Sequence, residues 1–191
     1  MSLTRRNFLT TAACALATPA RAAEPFPVNM SEGKKLDYKF QRRDMEFATN
    51  EPVGTIVVDA VHRFLYHVQG GGQATRYGVA VGKGAKAWTG EFIIKKMAEW
   101  PTWTPAPYHL EIKPDLAKWK NGMPGGLDNP MGARAMYLFK GEVDTINRIH
   151  GSAKLTDIGK KATAGCIGML NADIIHLYAN VQVGTRVVML G

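Results

Sequence analysis

Two short stretches carry the residue types that nucleophilic chemistry needs. Thr163-Ala164-Gly165-Cys166-Ile167 places a thiol in a glycine turn, and Ile149-His150-Gly151-Ser152 ends a predicted strand with an imidazole. A thiol attacks well only as thiolate, and a neighbouring imidazole can take its proton. Gly165 lets the backbone turn tightly, so that the N–H groups of Gly165 and Cys166 can face a substrate oxygen as an oxyanion hole. The chain has five histidines, so this pairing is one of several. Spacing alone leaves a bland account open: Cys166 as a small buried hydrophobe, and His150 as a strand-end residue bonded to backbone.

Both stretches need a rigid sheet behind them, and the pattern supplies one. Short β-branched or apolar runs occur at Thr55–Asp59, Phe64–Val68, Tyr77–Gly82, Glu91–Met97, Ala135–Phe139, Asn147–His150 and Thr185–Leu190, with glycines between them. Such spacing predicts an antiparallel meander or sandwich. Trp100–Pro107 carries three prolines and two tryptophans, which forbids a central strand or helix there. A second loop runs from Asn121 to Gly132, and Pro114–Lys120 between them reads as a short helix. One helix is well patterned: Asn171 as N-cap, Asp173 in the first turn, and Ile174, Leu177, Tyr178 and Val181 on one face. His176 reads as a polar position on that helix, and His62, His67 and His109 as strand or loop residues without metal-ligand spacing. The expected fold is mostly β, with one or two short helices in one domain.

The ends of the chain add context. Residues 1–22 read as a cleaved export signal: Arg5-Arg6 before an apolar run, then Ala20-Arg21-Ala22 as the cleavage site, with a twin-arginine flavour in Thr4–Leu9. Residues 23–53 form an irregular N-terminal arm laid on the domain, and 54–191 form the domain itself. Loss of Arg5, Arg6 and Arg21 takes the net charge from +8 to +5, and loss of Cys14 leaves Cys166 as the lone thiol. One cysteine makes no internal disulfide. The basic pairs are scattered and not interleaved with aromatics, which argues against nucleic acid. No apolar run is long enough for stable membrane insertion.

Taken in order, the motifs resemble the L,D-transpeptidases of the YkuD type (ErfK/YbiS/YcfS/YnhG-like). The likeness runs from about Thr55 to Leu190. It is carried by Tyr77–Gly82, by Thr89-Gly90-Glu91-Phe92, by the proline-tryptophan loop Trp100–Pro105, and by Gly125–Leu138. Ile149-His150-Gly151-Ser152 is similar to the family's Ile-His-Gly-Thr, and Thr163–Ile167 to its Ser-His-Gly-Cys-Ile.

The resemblance implies a β-sandwich-like catalytic domain acting on peptidoglycan stem peptides as donor and acceptor. Cys166 is then the nucleophile, His150 its general base, the Gly151 carbonyl the orienter of the imidazole, and the Gly165 N–H part of the oxyanion hole. It implies no cofactor and no metal, because the thiol carries the covalent chemistry. The expected setting is the periplasm of a Gram-negative-like cell, and the expected state a monomer. Trp103, Tyr137, Arg134, Ser152 and Thr163 are candidates to bind substrate, with packing the alternative for the aromatics. Two departures stand out. Ala164 replaces a common His, and Gly168 replaces a common Arg, which removes a fixed cation that could hold a stem carboxylate. Arg134 is a candidate replacement for that cation. The small residue after the cysteine also resembles a YafK-like branch. The alternatives are an L,D-carboxypeptidase or amidase on the same site, and a non-catalytic wall-binding module.

Overall fold

The computed structural model describes residues 23–82, 89–163 and 165–190. Eleven strands form where the apolar pattern alternates or runs continuously: β1 (Arg43–Glu46), β2 (Ile56–Asp59), β3 (Phe64–Gly70), β4 (Gln73–Gly78), β5 (Val81–Gly82), β6 (Gly90–Glu99), β7 (Arg134–Lys140), β8 (Val143–His150), β9 (Lys161–Thr163), β10 (Ile167–Gly168) and β11 (Arg186–Leu190). Two helices, α1 (Pro107–Ile112) and α2 (Asn171–Tyr178), and 3-10 turns at Glu32–Lys35, Tyr38–Phe40 and Pro114–Trp119 complete the described elements.

Nine strands make one sheet in the order β1-β4-β3-β2-β11-β6-β7-β8-β10, and β5 pairs with β9 in a second, small sheet. Most neighbours are antiparallel; β11 runs parallel to β2, and β10 parallel to β8. A single apolar cluster draws Ile56 and Val58 from β2, Leu65 from β3, Ile94 from β6, Leu138 from β7 and Ile149 from β8, together with Ile174 and Leu177 of α2. A flat sheet of nine strands could not gather side chains from both its halves, so the sheet is curled, with Ile174 and Leu177 of α2 in the cluster it encloses. Within single strands the alternation is plain: Phe92 and Ile94 of β6, and Val187 and Met189 of β11, point inward, with partly or fully exposed residues between them.

The expected mostly-β fold is the one observed, with four local differences. The run Tyr77–Gly82 is not one strand. Its residues are all buried, yet the chain crosses at Val79-Ala80 from the large sheet to the small one. Gly78 permits that crossing, because a Cβ there would lie 2.5 Å from the Phe40 carbonyl oxygen. Arg43–Glu46, expected within the irregular arm, pairs with β4 as an edge strand. The proline loop gives way to α1, which starts with Pro107 in its first turn, where a missing N–H costs nothing. His109 is therefore a helix residue. Asn171 does not cap α2: Leu170 holds the cap position, and no side chain bonds there. Val181 lies beyond the end of α2 but still packs on the core.

The arm is tied down by side chains. Leu36 packs with Ile158 and Leu170, Arg42 pairs with Asp173 at 3.2 Å, and the rings of Phe26 and Trp100 meet at 4.7 Å. Residues 1–22, read as an export signal, and Ala164 lie outside the described residues.

Candidate active site

Register builds the site. In the parallel pair of β8 and β10, Ile149 sits beside Ile167 and His150 beside Gly168. Ile149 and Ile167 are fully buried in the core. Strand alternation therefore turns Arg148, His150, Cys166 and Gly168 to the opposite face. Cys166 enters β10 alongside Arg148, whose backbone N–H donates to the thiol. The turn before it is tightly seated: a Cβ on Gly82 would lie 2.3 Å from the Gly165 Cα. The Thr163 hydroxyl donates to the Cys166 carbonyl.

His150 Nδ1 lies 2.7 Å from the Gly151 carbonyl oxygen. An oxygen can only accept, so Nδ1 carries the hydrogen and Nε2 keeps a lone pair for a proton. Burial depresses the imidazole to about 4, against a smaller raising effect of the Gly151 bond; the Arg148 charge adds to the depression. Burial also pushes the Cys166 thiol up, partly offset by the Arg148 N–H and charge. The resting pair is a neutral thiol and a neutral imidazole.

The segment that holds these groups is braced from behind. Asn171 Oδ1 accepts from the Ala133 N–H at 2.8 Å and from the Ser152 N–H at 3.1 Å. Ser152 adopts φ +70°, unusual for a residue with a Cβ, and its hydroxyl donates to the Pro130 carbonyl. Gly132 and Gly151 leave room for the Asn171 amide; a Cβ on Gly151 would lie 2.3 Å from its Oδ1.

Cys166 stands where two hollows of about 260 Å³ each meet. Trp103, His109 and Met131 line both, so the segment around α1 roofs the cleft. One hollow adds His150, Ser152, Asp157 and Thr163; the other adds Tyr137, Ile146 and Arg148. The structure thus brings together Cys166, His150, Trp103, Tyr137, Ser152 and Thr163, with Gly151 and Gly165 beside them in the chain. It does not bring Arg134 there. That guanidinium is buried against Glu24 at 2.5 Å, within 3.4 Å of Glu99 and above the Tyr178 ring, in a separate hollow of about 430 Å³ that holds no nucleophile.

Sequence reasoning missed Arg148, Asp157 and His109. Arg148 was within reach, because it lies two residues before His150 on a strand and so shares its face. His109 Nδ1 accepts the Ala106 N–H at 3.0 Å, a reach back to the helix start that sequence does not advertise. Among the described residues, no group of three His, Cys, Asp or Glu side chains is placed to hold a metal ion.

Residues 54–189 match the family model of the YkuD L,D-transpeptidase catalytic domain. The chain is 33% identical over 181 residues to a Fuscovulum blasticum protein named "Putative L,D-transpeptidase in ATP synthase subunits region ORF 5", covering 92% of this chain and 89% of that one. It is 31% identical over 140 residues to the "Probable L,D-transpeptidase ErfK/SrfK" of Escherichia coli K12, covering 70% of this chain but only 43% of the relative. Among solved structures, one named "Probable carnitine operon oxidoreductase caia" from Brucella melitensis is 44% identical with a TM-score of 0.55, covering 85% of this chain and all of that one. A mutant L,D-transpeptidase from Enterococcus faecium shares the fold at 17% identity, with a TM-score of 0.54 over 73% of this chain and 50% of that one. The chain belongs to the YkuD family of L,D-transpeptidase catalytic domains.

Proposed function

We propose that this protein is an exported peptidoglycan L,D-transpeptidase in which Cys166 is the nucleophile and His150 the general base. One observation carries the reading: the only thiol among the described residues and a histidine with its Nδ1–H committed to a carbonyl share one face of adjacent parallel strands. The oxidoreductase name of the Brucella structure is not carried over, because the matched family model and the curated relatives name transpeptidases.

The neutral pair sets the order of events. As the sulfur attacks the carbonyl after the third stem residue, the thiol proton passes to His150 Nε2. Charge collects on the carbonyl oxygen, for which the N–H groups of Gly165 and Cys166 serve as donors. The carbon–nitrogen bond breaks, Nε2–H protonates the departing D-alanine amine, and a thioester remains on Cys166. An amine of a second stem then attacks, gives its proton to Nε2, and restores the thiol. Base help of this kind is worth about 10² to 10⁴ in rate. Ser152, Thr163, Trp103 and Tyr137 line the path of the peptide on either side. The chain works as a monomer in the periplasm, with residues 1–22 as its export signal.

Purified mature protein incubated with disaccharide-tetrapeptide and read by mass spectrometry tests this. Cross-linked dimer supports the transpeptidase; tripeptide alone supports an L,D-carboxypeptidase; no change leaves a wall-binding module. Cys166→Ala is expected to abolish turnover with the fold intact, and activity above a few per cent in that variant would sink the nucleophile assignment.

A further inference from the structure

Arg148 has a use that the reaction above leaves unassigned. Its Nη1 and Nη2 grip the Asp144 carboxylate at 2.7 and 2.9 Å, and Nη1 also reaches the Asn147 carbonyl at 2.9 Å. The guanidinium lies over the Tyr137 ring, 4.3 Å from its centroid. Held on three sides, the side chain is only 13% exposed. Its other edge, formed by Nε–H and the outer hydrogen of Nη2, makes no hydrogen bond among the described residues. Arg148 and Cys166 line the same hollow. A guanidinium with one edge fixed and one free is preorganised for a second carboxylate.

We infer that Arg148 is the carboxylate clamp of this cleft and binds the C-terminal carboxylate of the residue just beyond the scissile bond. The inference rests on the proposed acyl transfer at Cys166 and names how its donor is selected. Two facts place the clamp on the leaving side. The departing amine must reach His150 Nε2 for its proton. Arg148 lies two residues from His150 on the same strand face, about 6.6 Å along β8. That spacing suits a residue whose amine meets the imidazole and whose carboxylate meets the guanidinium. Among the described residues no carboxylate lines that hollow; Asp157 lines the other one. Gly168, where a cation is missing from the motif, also lines the other hollow, so Arg148 does not merely refill the vacant position but reads the substrate from the opposite side of Cys166. A donor extended by one residue would carry its carboxylate past the clamp, and a cleft of this kind selects peptides that end one residue after the bond cleaved.

The test compares disaccharide-tetrapeptide with a free C-terminal carboxylate against the same peptide as its C-terminal amide. Wild type is expected to favour the acid in kcat/KM by about 10- to 100-fold. Arg148→Gln is expected to bring that ratio close to one. Arg148→Lys is expected to lose most of it, since one ammonium cannot present two edges, and it decides the question if loss of the Asp144 pair unfolds the Gln variant. In parallel, calorimetry on Cys166→Ala protein measures binding of both peptides without turnover, with and without Arg148→Lys. Acid-favoured binding that the Lys change removes supports the clamp. Equal affinity for acid and amide, or a preference that survives Arg148→Lys, overturns it. Absence of turnover in wild type would refute the acyl-transfer reading, and the calorimetry would still decide the clamp.

Discussion

Replacing Asn171 by Ala tests how the base is held. Asn171 Oδ1 is the acceptor for two backbone donors, on Ala133 and Ser152. Ala133 is fully buried, so its N–H finds no water when the amide is removed. A buried donor left unpaired costs about 1–3 kcal/mol. Ser152 is half-buried and recovers part of its loss through solvent, so the total is about 2–4 kcal/mol. Ala is a good helix former at the start of α2, so propensity adds no penalty. For a chain of this length each kcal/mol moves Tm by about 2–4 °C, which gives a drop of roughly 4–16 °C. The Gly151 carbonyl that receives His150 Nδ1–H lies in the braced segment, so kcat falls as well. Asn171→Asp keeps the acceptor and puts a carboxylate in the first helical turn, where the dipole favours it by about 0.3–1 kcal/mol. Thermal melts and urea titrations of the three proteins read the effect. An Ala variant that melts with wild type would refute the brace, and an Asp variant as damaged as the Ala variant would show that the Oδ1 acceptor is not what matters.

Because burial depresses His150 to about 4, the free-enzyme kcat/KM should hold well below the ordinary imidazole range, with an acid limb nearer 4 than 6.5; a limb at or above 6.5 would count against a buried neutral base. The same depression makes the unfolded chain bind the proton first, so stability from His150 is lost as pH falls from 6.5 through 4. Asp173, raised to about 6 by burial, acts in the other direction and loses stability as pH rises from 3.8 through 6. Across pH 4 to 6 the two slopes oppose, and Asp173→Asn should leave a steeper rise of Tm with pH; parallel curves for the two proteins would contradict this. Arg134→Met should lower stability by about 1–3 kcal/mol, because Glu24 loses the guanidinium but keeps the Trp100 Nε1–H, yet leave KM for the donor within about twofold in the folded fraction; a selective rise in KM would return Arg134 to the substrate site. Gly82→Ala should push the Gly165 turn and cut acylation far more than Gly141→Ala, whose Cβ meets nothing within 4 Å; equal losses in single-turnover assays would rule out seating of the turn as the cause.

The strands that bury one face were legible from sequence, since Phe92, Ile94, Val187 and Met189 alternate with partly or fully exposed residues. So were the two loops with Cys166 and His150, because a thiol in a glycine turn and a histidine at a strand end are local features. What failed was decided by partners far away in the chain. Arg43–Glu46 carries three charged side chains around Met45 and becomes a strand only because β4 offers it an open edge. Tyr77–Gly82 reads as one apolar run because both sheets cover it, and nothing within the run marks the crossing. Asn171 has the residue type of a cap but lies one residue inside the helix, and the N–H groups of Ala133 and Ser152 engage its amide oxygen instead. Arg134 offered a cation of the right charge, but Glu24, 110 positions earlier, claims it.

The position of β11 between β2 and β6 also governs how the molecule comes to be made. The meander β2–β4 can form early from neighbouring segments, but the open side of Ile56–Asp59 waits for Arg186–Leu190. Closing so long a loop costs only slightly more than closing a short one, since the entropy grows with the logarithm of length. The delay is kinetic: long-range pairing slows folding, and during synthesis the apolar edge of β2 stands bare while residues 60–185 are added. Such an edge recruits other chains readily. A nascent chain of this protein is therefore expected to depend on a holding chaperone until its late strand arrives.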